Sequence, residues 1–154
     1  MTAARKKPWV PPRWFVRRAW AIDRWRYRVS DGRRVLARPR DGVAGRLRLR
    51  TVGRRSGVER AVILCYIADS DRFVTLAMNG WGAAPPAWWL NLLARPDAEI
   101  DTADGQRTVR ARAATGEERE RLWAAFSHVR GWGDVHAYAA HRAVETPVVV
   151  LEPR

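Results

Sequence analysis

Cysteine is nearly absent: Cys65 is the single one in 154 residues. One thiol cannot close an internal disulfide, so a disulfide-stapled scaffold is excluded and a reducing, cytoplasmic compartment is expected. Cys65 lies in an apolar run, where it reads as packing rather than chemistry. Long hydrophobic runs are missing too. The longest, Ala61 to Ala68, is far short of the roughly 20 residues a membrane-spanning helix needs. Arginines interrupt every apolar run near the N-terminus, so no signal peptide is expected. Histidine is sparse, and His128, His136 and His141 lack the close ligand pairing of a zinc site. The chain has no G-x-S-x-G, no Walker A lysine after Gly53 and no G-x-G-x-x-G opening a helix, which disfavours nucleophile-elbow hydrolases, P-loop NTPases and Rossmann dehydrogenases. A Ser-His-Asp triad assembled from distant residues is the hydrolytic arrangement these absences leave open.

Acidic residues are scarce in one part of the chain. Residues 1–60 hold 19 Lys and Arg against 4 Asp and Glu, while residues 61–154 hold 10 against 12. The net charge of +13 therefore originates in the first part, and a field of that sign favours anionic partners such as nucleic acid, anionic lipid or a polyanionic small molecule. An RNA-recognition aromatic motif, paired zinc ligands and a helix-turn-helix are lacking, which argues against a specific nucleic-acid reader.

What is present reads as one domain, residues 13–154, behind a flexible basic arm at 1–12. Arg13 to Val29 has helical amphipathicity. Phe15, Ala19, Ile22 and Val29 share one side, Arg13, Arg17, Arg24 and Arg28 the other, and Trp14, Trp20, Trp25 and Tyr27 flank the apolar side. Such a helix either packs that side on its own domain or lies in a membrane interface. Asp31-Gly32 and Asp41-Gly42 mark turns in the connector that follows. Strands are expected at Arg46–Thr51, Arg60–Ala68, Arg72–Met78, Ala98–Thr102, Gln106–Ala114 and Pro147–Leu151, with Val109, Ala111 and Ala113 facing inward. A short helix fits Pro86–Ala94. Thr115-x-x-Glu118 has the pattern of a capping box opening a helix through Arg130, and Asp134–Arg142 suits a further helical stretch. Six short strands with few helices between them favour a barrel or curled sheet.

The segment Gly45 to Ala68 carries the chemistry. Leu47, Leu49 and Thr51 alternate with Arg46, Arg48 and Arg50, the mark of a half-buried strand. Between this strand and the next lies T-V-G-R-R-S-G-V-E-R. Gly53 and Gly57 permit positive φ, which would expose backbone N–H groups. Arg54, Arg55 and Arg60 add guanidinium forks and Ser56 a hydroxyl. The loop is either a cradle for phosphate or carboxylate or a solvated basic hairpin. With the Gly-rich loop N-G-W-G and the tryptophans, it could hold a flat anionic cofactor whose ring does the difficult chemistry. Trp88 reads equally as a core or a site residue, and Trp89 rather as core.

L-R-T-V-G-R-R-S-G-V-E-R-A-V-I-L, A-M-N-G-W-G, P-A-W-W-L-N-L-L-A-R-P, G-E-E-R-E-R-L-W and T-P-V-V-V-L-E-P occur in this order. In these motifs the chain resembles the deazaflavin-dependent nitroreductase and quinone reductase family of actinobacteria over about residues 14–154, that is, most of its length as judged by motif order. The resemblance implies an α+β fold: a split β-barrel related to flavin-binding barrels, with an N-terminal amphipathic helix and short flanking helices. It implies coenzyme F420, an 8-hydroxy-5-deazaflavin bearing a phosphate and a polyglutamate tail, with FMN as the alternative. Arg54, Arg55, Ser56 and Arg60 would take the phosphate and tail side. Ala77, Met78, Asn79, Gly80, Trp88 and Asn91 would line the ring, and Tyr138 would act on the substrate side. Met78 stands where many members have Ser, Leu90 where a His is frequent, and Val135 where a neighbouring substrate-side tyrosine is found. The expected activity is hydride transfer to a quinone or nitro compound. A flavin- or haem-binding protein on the same barrel is the second reading, and a basic nucleic-acid module the third. Expected partners are the acceptor, an anionic membrane touched peripherally from the cytoplasmic side, and a second copy in a homodimer; no specific nucleic acid is expected.

Overall fold

The computed structural model describes residues 12–29 and 35–154, with side chains left out at 23–29. Residues 1–11 of the expected arm at 1–12, the Asp31-Gly32 turn and the helix side chains of Arg24, Trp25, Tyr27, Arg28 and Val29 lie outside the described residues. Six antiparallel strands close into a barrel in the order β1-β2-β3-β6-β5-β4. They are β1 (Gly45–Val52), β2 (Glu59–Asp69), β3 (Arg72–Leu76), β4 (Asp97–Thr102), β5 (Gly105–Ala113) and β6 (Val148–Pro153). Four helices flank them: α1 (Arg13–Val29), α2 (Ala87–Ala94), α3 (Gly116–Phe126) and α4 (Val135–Ala140).

The period-2 pattern of β1 places Leu47, Leu49 and Thr51 in the interior and its arginines on the outer wall. There β1 pairs with β4, setting Arg48 opposite Asp101 and Arg50 opposite Glu99. Arg50 reaches Asp101 at 2.9 Å and Glu99 at 3.1 Å, so opposite charges face each other across the strands and favour this register. β6 differs. Val148, Val149, Val150 and Leu151 are all buried because both of its faces are covered. Val149 and Leu151 join Leu47, Leu49, Ile100 and Val109 inside the barrel, while Val148 and Val150 pack outside with Leu122 and Phe126 of α3. A strand buried on both faces shows a continuous apolar run instead of alternation.

Three expectations are corrected. Ala113 is exposed although Val109 and Ala111 are buried; at the end of β5 the chain is leaving the barrel, and Ala114 takes the buried place in the outer cluster. The capping box is not formed: Thr115 is the N-cap residue of α3 but makes no side-chain cap bond. Glu118 instead accepts from Arg112 Nη1 at 2.6 Å and Nη2 at 2.8 Å, and from Arg72 Nη1 at 2.9 Å. Guanidinium donors outcompete a backbone amide for a carboxylate. Finally, α3 stops at Phe126, short of Arg130. Its last amides fold into tight turns, and the Arg130 N–H is captured by Gly42 O at 2.8 Å.

The Arg112 hydrogen bonds, with Arg72 adding, hold the Glu118 carboxyl down to about 2, against the opposing effect of burial. A depressed folded-state pKa contributes stability above the unfolded value and loses it as pH falls through the folded one. Glu118→Gln should therefore cost about 1–2 kcal/mol at neutral pH, after discounting for partial solvent screening. The gap to the wild type in urea unfolding should close as pH drops from 4.5 toward about 2. A gap that stays constant over that window would remove the charge of Glu118 from the account.

Candidate functional site

A cavity of about 600 Å³ opens where the β1–β2 hairpin loop, the segment between β3 and α2, and α2 itself meet. The hairpin contributes Thr51, Arg54, Arg55, Ser56 and Arg60, and β2 adds Val62. α2 contributes Trp88 and Asn91, the segment before it Asn79, Pro85 and Pro86, and α1 closes one side with Arg13 and Trp20.

The hairpin loop is internally braced. The Gly53 N–H donates to Val58 O and the Gly57 N–H to Gly53 O, both at 2.8 Å. The Val58 N–H donates to Ser56 Oγ at 3.2 Å. Asn91, 4 % exposed, accepts from the Arg54 N–H at 3.1 Å and donates through Nδ2 to Thr51 Oγ1 at 3.1 Å. The expected backbone cradle is thus corrected: the amides of Gly53, Arg54, Gly57 and Val58 are used to hold the loop, and the side chains are what it presents. The two glycines also differ. Gly57 has φ of 69°, whereas Gly53 is required for close approach, since a Cβ there would lie 2.6 Å from Ser56 Oγ.

Charge distinguishes this site from the paired strands of the barrel wall. On the barrel wall Arg48, Arg50, Arg72, Arg110 and Arg112 are each ion-paired. Among the described residues, Arg13, Arg54, Arg55 and Arg60 line the cavity with no carboxylate partner. Four uncompensated guanidinium groups around a cavity walled by Trp20, Val62, Pro86 and Trp88 suit a flat molecule that carries several negative charges.

Of the residues singled out from sequence, Arg54, Arg55, Ser56, Arg60, Asn79, Trp88 and Asn91 come together here. Ala77, Met78, Gly80 and Tyr138 do not line this cavity. Ala77 is fully buried in the barrel interior and Met78 packs on the outer cluster. Gly80 borders an adjoining groove between α1 and residues 79–82 that shares Arg13, Trp20 and Asn79 with the cavity. The Tyr138 ring stacks on Trp81 with centroids 5.8 Å apart. Trp89 is core. Arg13 and Trp20 were missed, because their place depends on how α1 docks on β2, which helical periodicity does not encode.

The Ser127–His136 contact does not have the arrangement of a hydrolytic triad. His136 accepts at Nδ1 from Trp123 Nε1 at 2.9 Å, and Ser127 Oγ lies 3.2 Å from its Nε2. With Nδ1 receiving a proton donor, the neutral ring carries its own proton on Nε2 and offers Ser127 a donor rather than a base. Among the described residues no His, Cys, Asp and Glu grouping could hold a metal ion.

The family model for F420H(2)-dependent quinone reductase matches residues 20–153. The F420H(2)-dependent quinone reductase Rv1261c of Mycobacterium tuberculosis is 28 % identical over 130 residues, covering 83 % of this chain and 85 % of that protein. Among solved structures, an F420-H2 dependent reductase of the FDR-A type superposes with a TM-score of 0.61 at 25 % identity, covering 70 % of this chain and 93 % of that one. HutZ, the heme storage protein of Vibrio cholerae, shares the fold alone, at 13 % identity with a TM-score of 0.52 over 71 % of this chain and 81 % of its own. This chain belongs to the F420H(2)-dependent quinone reductase family.

Proposed function

We propose that the chain is an oxidoreductase that passes hydride from reduced coenzyme F420 to a quinone, with nitro compounds as alternative acceptors, on a single domain spanning residues 13–154. The observation that carries the site is the set of four arginines, without a carboxylate partner among the described residues, around an aromatic-walled cavity. When bound and reduced, the coenzyme supplies the hydride. The protein's part is to hold, orient and exclude water. Arg54, Arg55 and Arg60, with the O–H of Ser56, take the phosphate and carboxylates. Asn91 fixes the loop that carries Arg54. Trp88 and Val62 give the ring an apolar wall, and a fixed ring-to-acceptor geometry supplies most of the acceleration.

The acceptor gains a proton as well. Tyr138, stacked on Trp81 beside the segment that carries Asn79, is the donor we assign. A phenol donates a hydrogen bond to a developing oxyanion while remaining neutral at rest. The apolar side of α1 supplies the route to a lipid-soluble acceptor. Trp14, Phe15 and Ile22 are exposed and sit among Arg13, Arg17 and Arg18, so they suit an anionic membrane surface approached from the cytoplasmic side. No helix among the described residues is long and apolar enough to cross a membrane.

Equilibrium binding of F420 against FMN and haem tests the cofactor. Arg54→Ala or Arg60→Ala should weaken F420 binding by about 1.5–3 kcal/mol, the range for a charge-assisted hydrogen bond; unchanged affinity in both would return the loop to a solvated hairpin. Tyr138→Phe should lower quinone turnover at least about tenfold, or about 1.4 kcal/mol in barrier, with cofactor affinity near wild type, and wild-type turnover would leave positioning as the whole mechanism. Sedimentation with anionic vesicles should carry down the wild type and much less of a Trp14→Ser, Phe15→Ser variant. Equal partitioning of the two would confine α1 to packing.

A further inference from the structure

Arg142 lies two residues beyond α4 and is 8 % exposed. Its Nε donates to Gly82 O at 3.0 Å, and its Nη1 donates to Ala77 O at 3.1 Å and to Thr146 Oγ1 at 2.8 Å. All three acceptors are neutral. Among the described residues no carboxylate pairs with it, and Nη2 is buried without a hydrogen-bond partner. Burial pushes its pKa below the ordinary arginine value, yet a guanidinium stays charged throughout the working range. A buried charge with no counter-ion lowers stability, and an apolar side chain of similar length would avoid that cost.

The two carbonyls it grips bracket one segment. Between Ala77 and Gly82, Asn79, Gly80 and Trp81 have φ of 47°, 60° and 62°. Successive left-handed residues, two of them not glycine, do not persist unless their surroundings impose them. The bond from Asn79 Nδ2 to Ala84 O at 3.0 Å helps from one side. Arg142 holds both ends. The segment presents Asn79 to the cavity and sets Trp81 against Tyr138.

We propose that Arg142 is a positioning residue: by stapling the carbonyls of Ala77 and Gly82 it holds the segment between them in the form that presents Asn79 to the bound deazaflavin and Trp81 to Tyr138. Arginine is needed because its planar fork meets three acceptors in fixed directions, which a lysine ammonium does not reproduce. The inference rests on the F420 reading of the cavity, and it extends the functional set to a residue that touches neither cofactor nor acceptor.

The test uses Arg142→Met, Arg142→Lys and the milder Thr146→Val, which deletes only one acceptor. In ligand-free protein, amide exchange at residues 79–82 should accelerate at least tenfold in Arg142→Met and less in the other two, while exchange at 54–57 stays unchanged. The near-ultraviolet circular dichroism of the Trp81–Tyr138 stack should weaken in parallel. F420 dissociation constants should rise at least tenfold in Arg142→Met, and adding Asn79→Ala should cost little more, because both act through one segment. A purely structural arginine would lower the melting temperature and leave these readings at wild-type values below it. Wild-type exchange and affinity in folded Arg142→Met overturn the proposal. If Arg142→Met does not fold, wild-type values in Thr146→Val overturn it instead. A wild-type protein that binds no F420 overturns the proposed function and this role together, whereas an F420-binding wild type matched by its Arg142 variants overturns this role alone.

Discussion

Guanidinium groups outnumber what the carboxylates can neutralise, with 29 Lys and Arg against 16 Asp and Glu, and a six-stranded barrel has no interior to spare for them. The rest of the molecule follows from where that surplus goes. On the outer wall the antiparallel register sets arginine against carboxylate, as between β1 and β4, and again where Glu118 joins Arg72 on β3 to Arg112 on β5. These pairs are half-exposed and individually modest, but they tie the turn after β2, the edge of α3 and three strands into one surface. Part of the charge left over lines the cavity, where repulsion among Arg13, Arg54, Arg55 and Arg60 would be relieved by an anion from outside. The same excess that makes the free site costly would favour an anionic ligand in the bound state.

The barrel was legible because its strands alternate. β1 shows both of its faces in eight letters, and the hairpin turning at Asp104-Gly105 carries its own turn signal. Strand ends and helix ends were less so. Thr115 and Glu118 spell a cap in sequence, but the carboxylate belongs to guanidinium groups on β3 and β5 that are distant along the chain. Local patterns describe what a residue can reach nearby; they are silent about a stronger partner that the topology delivers. Val148 to Leu151 shows the converse case, since a run buried on both faces reveals a strand but not which side meets the helix.

The site was legible in its donors and not in its architecture. The hairpin arginines lie within seven residues of one another, so any turn there gathers them. Of the backbone donors expected beside them, those of Gly53, Arg54, Gly57 and Val58 support the loop instead, and Asn91, which lines the cavity, also braces that loop from α2. Arg13 and Trp20 arrive from α1, and Arg142 from beyond α4, across separations that no spacing rule spans. A buried arginine leaves no mark in sequence at all: one letter among twenty-nine basic residues looks like surface until the fold encloses it.

These pieces divide a single task. The hairpin with Asn91 is rigid by internal bonding, which suits the end of the cofactor that is only held. The Ala77–Gly82 segment is different: it stores backbone strain and depends on an unpaired charge beneath it, so its native form is one choice among competing ones. Under the proposed binding mode the strain would lie beside the ring and acceptor, and the rigid loop beside the phosphate. Affinity needs many donors in approximately the right place, whereas hydride transfer needs a few groups held to within a fraction of an ångström. The proposed proton delivery by Tyr138 would inherit the same requirement through Trp81, on which its ring stacks. In this reading the geometry of the reacting centre depends on a side chain outside the cavity, and α1 adjoins the same segment, since Val16 lies against Gly80. The segment that Arg142 holds is thus also the one that α1 touches, so the proposed membrane contact and the proposed ring geometry would share one mechanical element.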